Sequence, residues 1–151
     1  MSDSTLETVK HIRHVQYLME LVIEELLSRS RKHDETKLES PEKEIFDEFT
    51  PKLQGATYGS DEYKGFLKEM KVALDHHYKE NRHHPECYTE GINGMSLIDL
   101  IEMVADWKAA AARHNDGDTT KSLEINIERF GISPQLALII RNTFFFFSCH
   151  G

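Results

Sequence analysis

The spacing of helix breakers constrains this chain more than any other feature. Prolines stand only at positions 41, 51, 85 and 134, and glycines cluster between segments of periodic hydrophobicity. Long stretches without either residue favour helices over strands. The first helix is expected from about Thr5 to about Ser28. There Val9, Ile12, Val15, Met19, Val22, Ile23 and Leu26 recur at three- and four-residue steps and trace one apolar stripe. A short helix should carry Asp34 to Leu38. Ser40-Pro41, with Ser as cap and Pro at the first position, opens a third helix running to about Thr50. A fourth starts near Ser60-Asp61 and continues to about Glu80. Asn81 to Met95, holding Pro85, Gly91 and Gly94, reads as an irregular loop. Ser96 with Asp99 forms a capping-box variant before a helix from Leu97 to about His114. Asn115-Asp116-Gly117-Asp118 should close it. Two further helices, about Thr119 to Phe130 and Pro134 to Phe145, are separated by Gly131. The expectation is an all-α, single-domain bundle of six or seven helices spanning residues 1–151.

Charge and composition narrow the function classes. With 26 acidic against 18 basic side chains the formal net charge is -8. Neutralising a phosphate backbone needs a basic face, so nucleic acid is not the expected partner. A nucleotide substrate stays open, because a bound divalent ion can supply local positive charge. Cys87 and Cys149 form neither a zinc spacing nor a disulfide framework, which points to a reducing cytoplasm. Met1 to Lys10 has no apolar signal-peptide core, and no run is long enough to span a bilayer. Phe144 to Phe147 reads as a core plug or a contact between copies of the chain rather than a membrane foot.

The chemistry sits in the nine histidines. His33 adjoins Asp34, His76-His77 ends a helix, His83-His84 lies in the following loop, and Asp106 stands mid-helix beyond it. Imidazole nitrogen and carboxylate oxygen suit a divalent ion such as Mn, Fe, Co, Ni, Zn or Mg. Such an ion acidifies a bound water at neutral pH. The set also reads as an ordinary polar surface: histidine is favoured at helix C-termini, and charged rows such as Asp99, Glu102, Asp106 and Arg113 usually face solvent. In the alternative reading that row is a second buried face, with Glu102 orienting a ligating imidazole.

His33-Asp34-Glu35-Thr36-Lys37 resembles the signature of the HD-domain phosphohydrolase superfamily, in which adjacent His and Asp ligate a metal and a Lys follows. Lys10-His11-Ile12-Arg13-His14 resembles that family's first element, and Val104-Ala105-Asp106-Trp107-Lys108 its last. Arg82-His83-His84-Pro85-Glu86 is loosely similar to the His-His-Glu region of the cyclic-dinucleotide branch, although Pro85 interrupts the pattern and Gly-Tyr-Pro is absent. From about residue 5 to 143 the chain also looks like an uncharacterised family of phage and bacterial genomes. That likeness rests on the His33-Asp34-x-x-Lys37 segment, the Asn81-x-His83-His84-Pro85-Glu86 loop and the Glu102-Met103-x-x-Asp106-Trp107-Lys108-Ala109 helix.

The superfamily resemblance implies a metal held by His11, His33, Asp34 and Asp106, and hydrolysis of a nucleotide or similar small phosphoester. Lys37, His83 and Glu86 would serve the chemistry; His76, His77, Arg82 and His84 would bind substrate. Lys108, Arg113, Lys121 and Arg129 are further basic side chains able to meet phosphate. His14 is the alternative to His11. At about 100° per residue, His11 lies roughly 70° and His14 roughly 130° from the centre of the apolar stripe, which favours His11. A continuous helix would hold His11 and His33 about 33 Å apart, so a shared ion requires a break between about Ser28 and Lys32.

Two other function classes remain. One is a non-catalytic protein of the same fold that sequesters a nucleotide or contacts a host protein; in each of these readings the Phe-rich C-terminus is the expected contact of a homo-oligomer. The other is a carboxylate-and-Mg pyrophosphatase resting on Glu24-Glu25 and the acidic row.

Overall fold

The computed structural model describes residues 4–57, 59–112 and 119–150. Among them the chain forms seven α-helices and no strand, as the breaker spacing predicts: α1 (Thr5–Lys32), α2 (Glu42–Gly55), α3 (Asp61–Glu69), α4 (Lys71–Glu80), α5 (Leu97–Ala112), α6 (Thr119–Phe130) and α7 (Pro134–His150). Short 3-10 turns occupy Glu35–Leu38, Pro85–Cys87 and Gly91–Gly94. The closing loop expected at 115–118, and Arg113, lie outside the described residues. Backbone contacts group the chain into two units, Met1–His33 and Asp34–Gly151.

The first unit is the helix α1. It runs through Ser28–Lys32 without the expected break. Within that stretch Ser30 and Arg29 are satisfied in place. Ser30 Oγ donates to the Leu27 carbonyl at 2.9 Å, and Arg29 Nε reaches Glu25 Oε1 at 2.7 Å one turn back. Arg29, Arg31 and Lys32 also put positive charge on the last turn, where the helix dipole favours it. The charge run is therefore a helix ending. The helix stops at His33, whose backbone is extended (φ -52°, ψ 125°).

In the second unit α2 packs on α3, α4 and the Glu35–Leu38 turn, while α5, α6 and α7 pack on one another. Ser40 does not cap α2: its peptide bond to Pro41 is cis, Pro41 occupies the cap position and Pro51 lies inside the helix. Helix four of the sequence reading is two helices meeting at the fully buried Met70. Its start is as expected, with the Tyr63 amide donating to Ser60 Oγ at 3.1 Å.

The core is Met103, Val104, Trp107, Leu123, Ile132, Ala137, Ile140 and Phe144. Trp107 stacks on Phe130 with ring centroids 5.8 Å apart. On α5, Leu97 and Ile101 are exposed, whereas Met103 is fully buried. Gly131 (φ 61°) ends α6 in a Schellman turn, with the Ile132 amide donating to the Ile127 carbonyl at 3.0 Å. Of the four phenylalanines, Phe144 is in the core and Phe147 packs against it, whereas Phe145 and Phe146 are exposed. Among the described residues no helix is long and apolar enough to cross a membrane.

Candidate metal centre

The second unit begins at Asp34, which adopts the left-handed conformation (φ 57°, ψ 16°). It is the one non-glycine residue with positive φ among those described. Aspartate tolerates this region better than most residues, and the turn aims its carboxylate inward. Lys37, three residues on, donates Nζ to Asp34 Oδ2 at 2.5 Å. The HD-x-x-K spacing therefore builds an ion pair across one 3-10 turn.

Asp34 Oδ1 faces two imidazoles. His77 Nε2, from α4, lies 3.2 Å away and His83 Nε2, from the loop after α4, 3.4 Å away. His84 Nε2 is 2.9 Å from His77 Nε2. Asp34, His77, His83 and His84 each offer one donor atom, and those atoms all lie within 4.8 Å of one another. Donors at about 2.05 Å from an ion are separated by about 3.3 Å in a tetrahedron and about 2.9 Å in an octahedron, and the three edges of 2.9, 3.2 and 3.4 Å are close to that spacing.

Carboxylates stand behind the imidazoles. Glu42 Oε2 lies 2.9 Å from His77 Nδ1, and Glu102 Oε1 lies 3.2 Å from His83 Nδ1. A carboxylate at Nδ1 fixes the proton there and directs the Nε2 lone pair to the centre, the usual support of a ligating histidine. Glu42, His77 and His83 are all buried. Thr36 Oγ1 donates to Glu42 Oε2 at 3.0 Å, and Asn81 Nδ2 donates to Thr36 Oγ1 at 2.9 Å. The loop carrying His83 and His84 is held by its own turns: the His84 amide donates to the Asn81 carbonyl at 3.2 Å and the Cys87 amide to the His84 carbonyl at 3.0 Å. Pro85, buried, starts the next 3-10 turn and helps fix the pair rather than interrupting it.

The electrostatics follow from this crowding. Burial pushes the Asp34 carboxyl up, but the adjoining His77 and His83 imidazoles and the Lys37 ammonium outweigh it and hold it well below the ordinary carboxylate range. Burial, reinforced by His83 and His77, lowers His84 to about 3 despite the opposing charges of Asp106 and Asp34. Burial thus favours the neutral form of His84, the form able to offer a nitrogen electron pair to an ion.

The residues singled out by sequence divide sharply. His77, His83 and His84, assigned to substrate and chemistry, join Asp34 as candidate ligands. Asp106 is half-buried on α5, offers a carboxylate oxygen within 4.8 Å of one from Asp34, and lies close enough for its charge to act on His84. His11 is exposed on α1, and the unbroken helix puts it about 33 Å from His33. The two cannot share an ion within one chain, so the expected convergence of His11 with His33 is corrected. His14 stacks on Tyr17 on the same helix. His33 caps α1 and closes the first unit.

Glu86 is outside the cluster, in an ion pair with Arg129 at 2.6 Å. Arg82 turns to Asp99, its Nε 3.2 Å from Oδ1, and Lys108 bonds Ser148. The acidic row is not a solvated face. Asp99 is fully buried and closes the predicted capping box, accepting from the Ser96 amide and hydroxyl at 2.7 Å each. Asp99 is thus engaged in the cap, and Glu102 stands behind His83. Sequence reasoning missed Glu42. A Glu just after a proline looks like an ordinary first-turn acid, and no local signal distinguishes it.

No curated protein and no solved structure matches this chain. One family profile does, across residues 1–145. The chain therefore belongs to DUF5662, a family of unknown function.

Proposed function

We propose that this protein is a metal-dependent phosphohydrolase acting on a nucleotide or related small phosphoester. The observation that carries the reading is the convergence of three imidazole nitrogens and the Asp34 carboxylate, two of the imidazoles backed by buried or half-buried carboxylates. A set dominated by imidazole suits Fe, Co, Ni, Zn or Mn better than Mg. A divalent ion held there would supply an acidified water and positive charge beside a phosphoryl group. Asp34 fixes one edge of the centre and keeps Lys37 beside it. Lys37, a third exposed, and His76, 39% exposed, then stand where a phosphate oxygen can approach. The resemblance of His33-Asp34-x-x-Lys37 to the HD superfamily supports the same reaction class, and a cytoplasmic setting in a bacterium or phage-infected cell belongs to the same reading.

The test is elemental analysis of protein purified without chelator, followed by a phosphoester panel with Mn, Co, Ni or Fe added. About one equivalent of metal, with hydrolysis lost in His77→Ala, is expected. Protein that binds no metal and cleaves no phosphoester overturns the proposal.

The four-donor set also favours a second reading. Four protein ligands around a tetrahedral ion leave no open position, as in a protein that uses metal to hold its fold while sequestering a nucleotide or contacting a host protein. Tight metal and nucleotide binding without turnover would select it.

A further inference from the structure

Glu42 is the most deeply buried acid near the centre, 0% exposed, yet it has no place among the candidate ligands. Burying a carboxylate is costly unless every oxygen is engaged. Here both are. Oε1 lies 2.7 Å from His76 Nδ1, while Oε2 lies 2.9 Å from His77 Nδ1 and accepts from Thr36 Oγ1 at 3.0 Å. Glu42 is also the first residue of α2, where the helix dipole favours a negative group.

We infer that Glu42 is the positioning residue of the metal centre: it holds the His77 proton on Nδ1 and so dedicates Nε2 to the ion. The inference rests on the metal reading above and adds a residue that reading does not require. Three features of the geometry support it. Around His77 Nδ1 stand Glu42 Oε2, Thr36 Oγ1 at 3.2 Å and the Asn81 amide nitrogen at 3.1 Å; that amide donates its hydrogens to Thr36 Oγ1 and the His77 carbonyl, and Glu42, the one charged group of the three, is the acceptor for the ring proton. His77 Nε2 lies on the opposite side of the ring, among Asp34 Oδ1 and His84 Nε2. His83 has the same construction, with Glu102 behind Nδ1 and Asp34 before Nε2. A purely structural tether between α2 and α4 would not need to bond the ring nitrogen opposite the donor.

The experiment compares Co2+ binding and the visible Co2+ absorption bands in the wild-type protein and Glu42→Gln. The amide keeps the size and can still accept one bond, but it carries no charge. Loss of a supporting partner lowers metal affinity by about 10–100-fold, so a loss of that size with an altered Co2+ spectrum is expected. Wild-type affinity and an unchanged spectrum in E42Q overturn the role of Glu42 and leave the metal centre standing. A wild-type protein that binds no Co2+ overturns both. A second measurement needs no variant: long-range proton–nitrogen spectra of the Zn2+-loaded wild type should show His77 protonated at Nδ1 and bound through Nε2. A His77 protonated at Nε2, or bound through Nδ1, overturns the inference.

Discussion

Replacing Asp34 by Asn tests the centre with little disturbance elsewhere. Asn is as much at home as Asp in the left-handed region, so φ 57° adds no backbone penalty and any effect reports the lost charge. The substitution removes the one carboxylate among four candidate donors. For wild type at free metal about 100 times Kd, binding stabilises the folded protein by about 2.7 kcal/mol. In a chain of this size each kcal/mol moves Tm by about 2–4 °C, so loading should raise Tm by about 5–11 °C. Removing a supporting partner alone weakens a metal site by about 10–100-fold, and a donor should cost at least the upper figure. At the same metal concentration D34N then retains RT ln 2, about 0.4 kcal/mol, a rise of no more than about 2 °C. The assay is thermal melting with and without Co2+ or Zn2+, referenced to each protein in chelator. A D34N protein that keeps the full metal-induced shift refutes the reasoning, as does a wild type with none.

Two further outcomes follow from the same structure. In chelator, stability should fall as pH drops below about 6.5, the unfolded value for histidine. His84 stays neutral in the fold down to about 3 whereas the unfolded chain takes up its proton, so unfolding gains protons across that window. His84→Ala should flatten this slope in urea titrations run at several pH values, and an unchanged slope would assign the dependence elsewhere. Ile140→Ala, at a site 1% exposed in the α5–α7 core, should cost about 2–5 kcal/mol in chemical denaturation. It should leave the metal affinity of the folded protein unchanged, since Ile140 belongs to none of the ligand groups; a parallel loss of affinity would show that core and centre are one cooperative element.

Much of the fold is a local matter. The apolar repeats, the Ser60 cap, the Ser96–Asp99 capping box and Gly131 each act within a few residues of their own position. Helix type and most boundaries can therefore be read from the chain. The misreadings have local causes as well. A break at Ser28 to Lys32 is expected from the need for a shared ion, but Ser30 bonds its own helix and the basic side chains complement the dipole. Leu97 and Ile101 fit an apolar face by periodicity, but the partners α6 and α7 meet a face rotated toward Met103.

The residue types of the centre, and the HD-x-x-K turn that pairs Asp34 with Lys37, were determined by the sequence alone, because that contact spans a single turn. Which of the nine histidines meet was decided only by tertiary packing. His77 comes from α4, His83 and His84 from the loop beyond it, and their carboxylates Glu42 and Glu102 from α2 and α5. Those separations of 35 and 19 residues (77 − 42 and 102 − 83) carry no periodic signature in the chain. Only the packing of α2, α4, α5 and the loop fixes them, and it brings His77, His83 and His84 together beside Asp34.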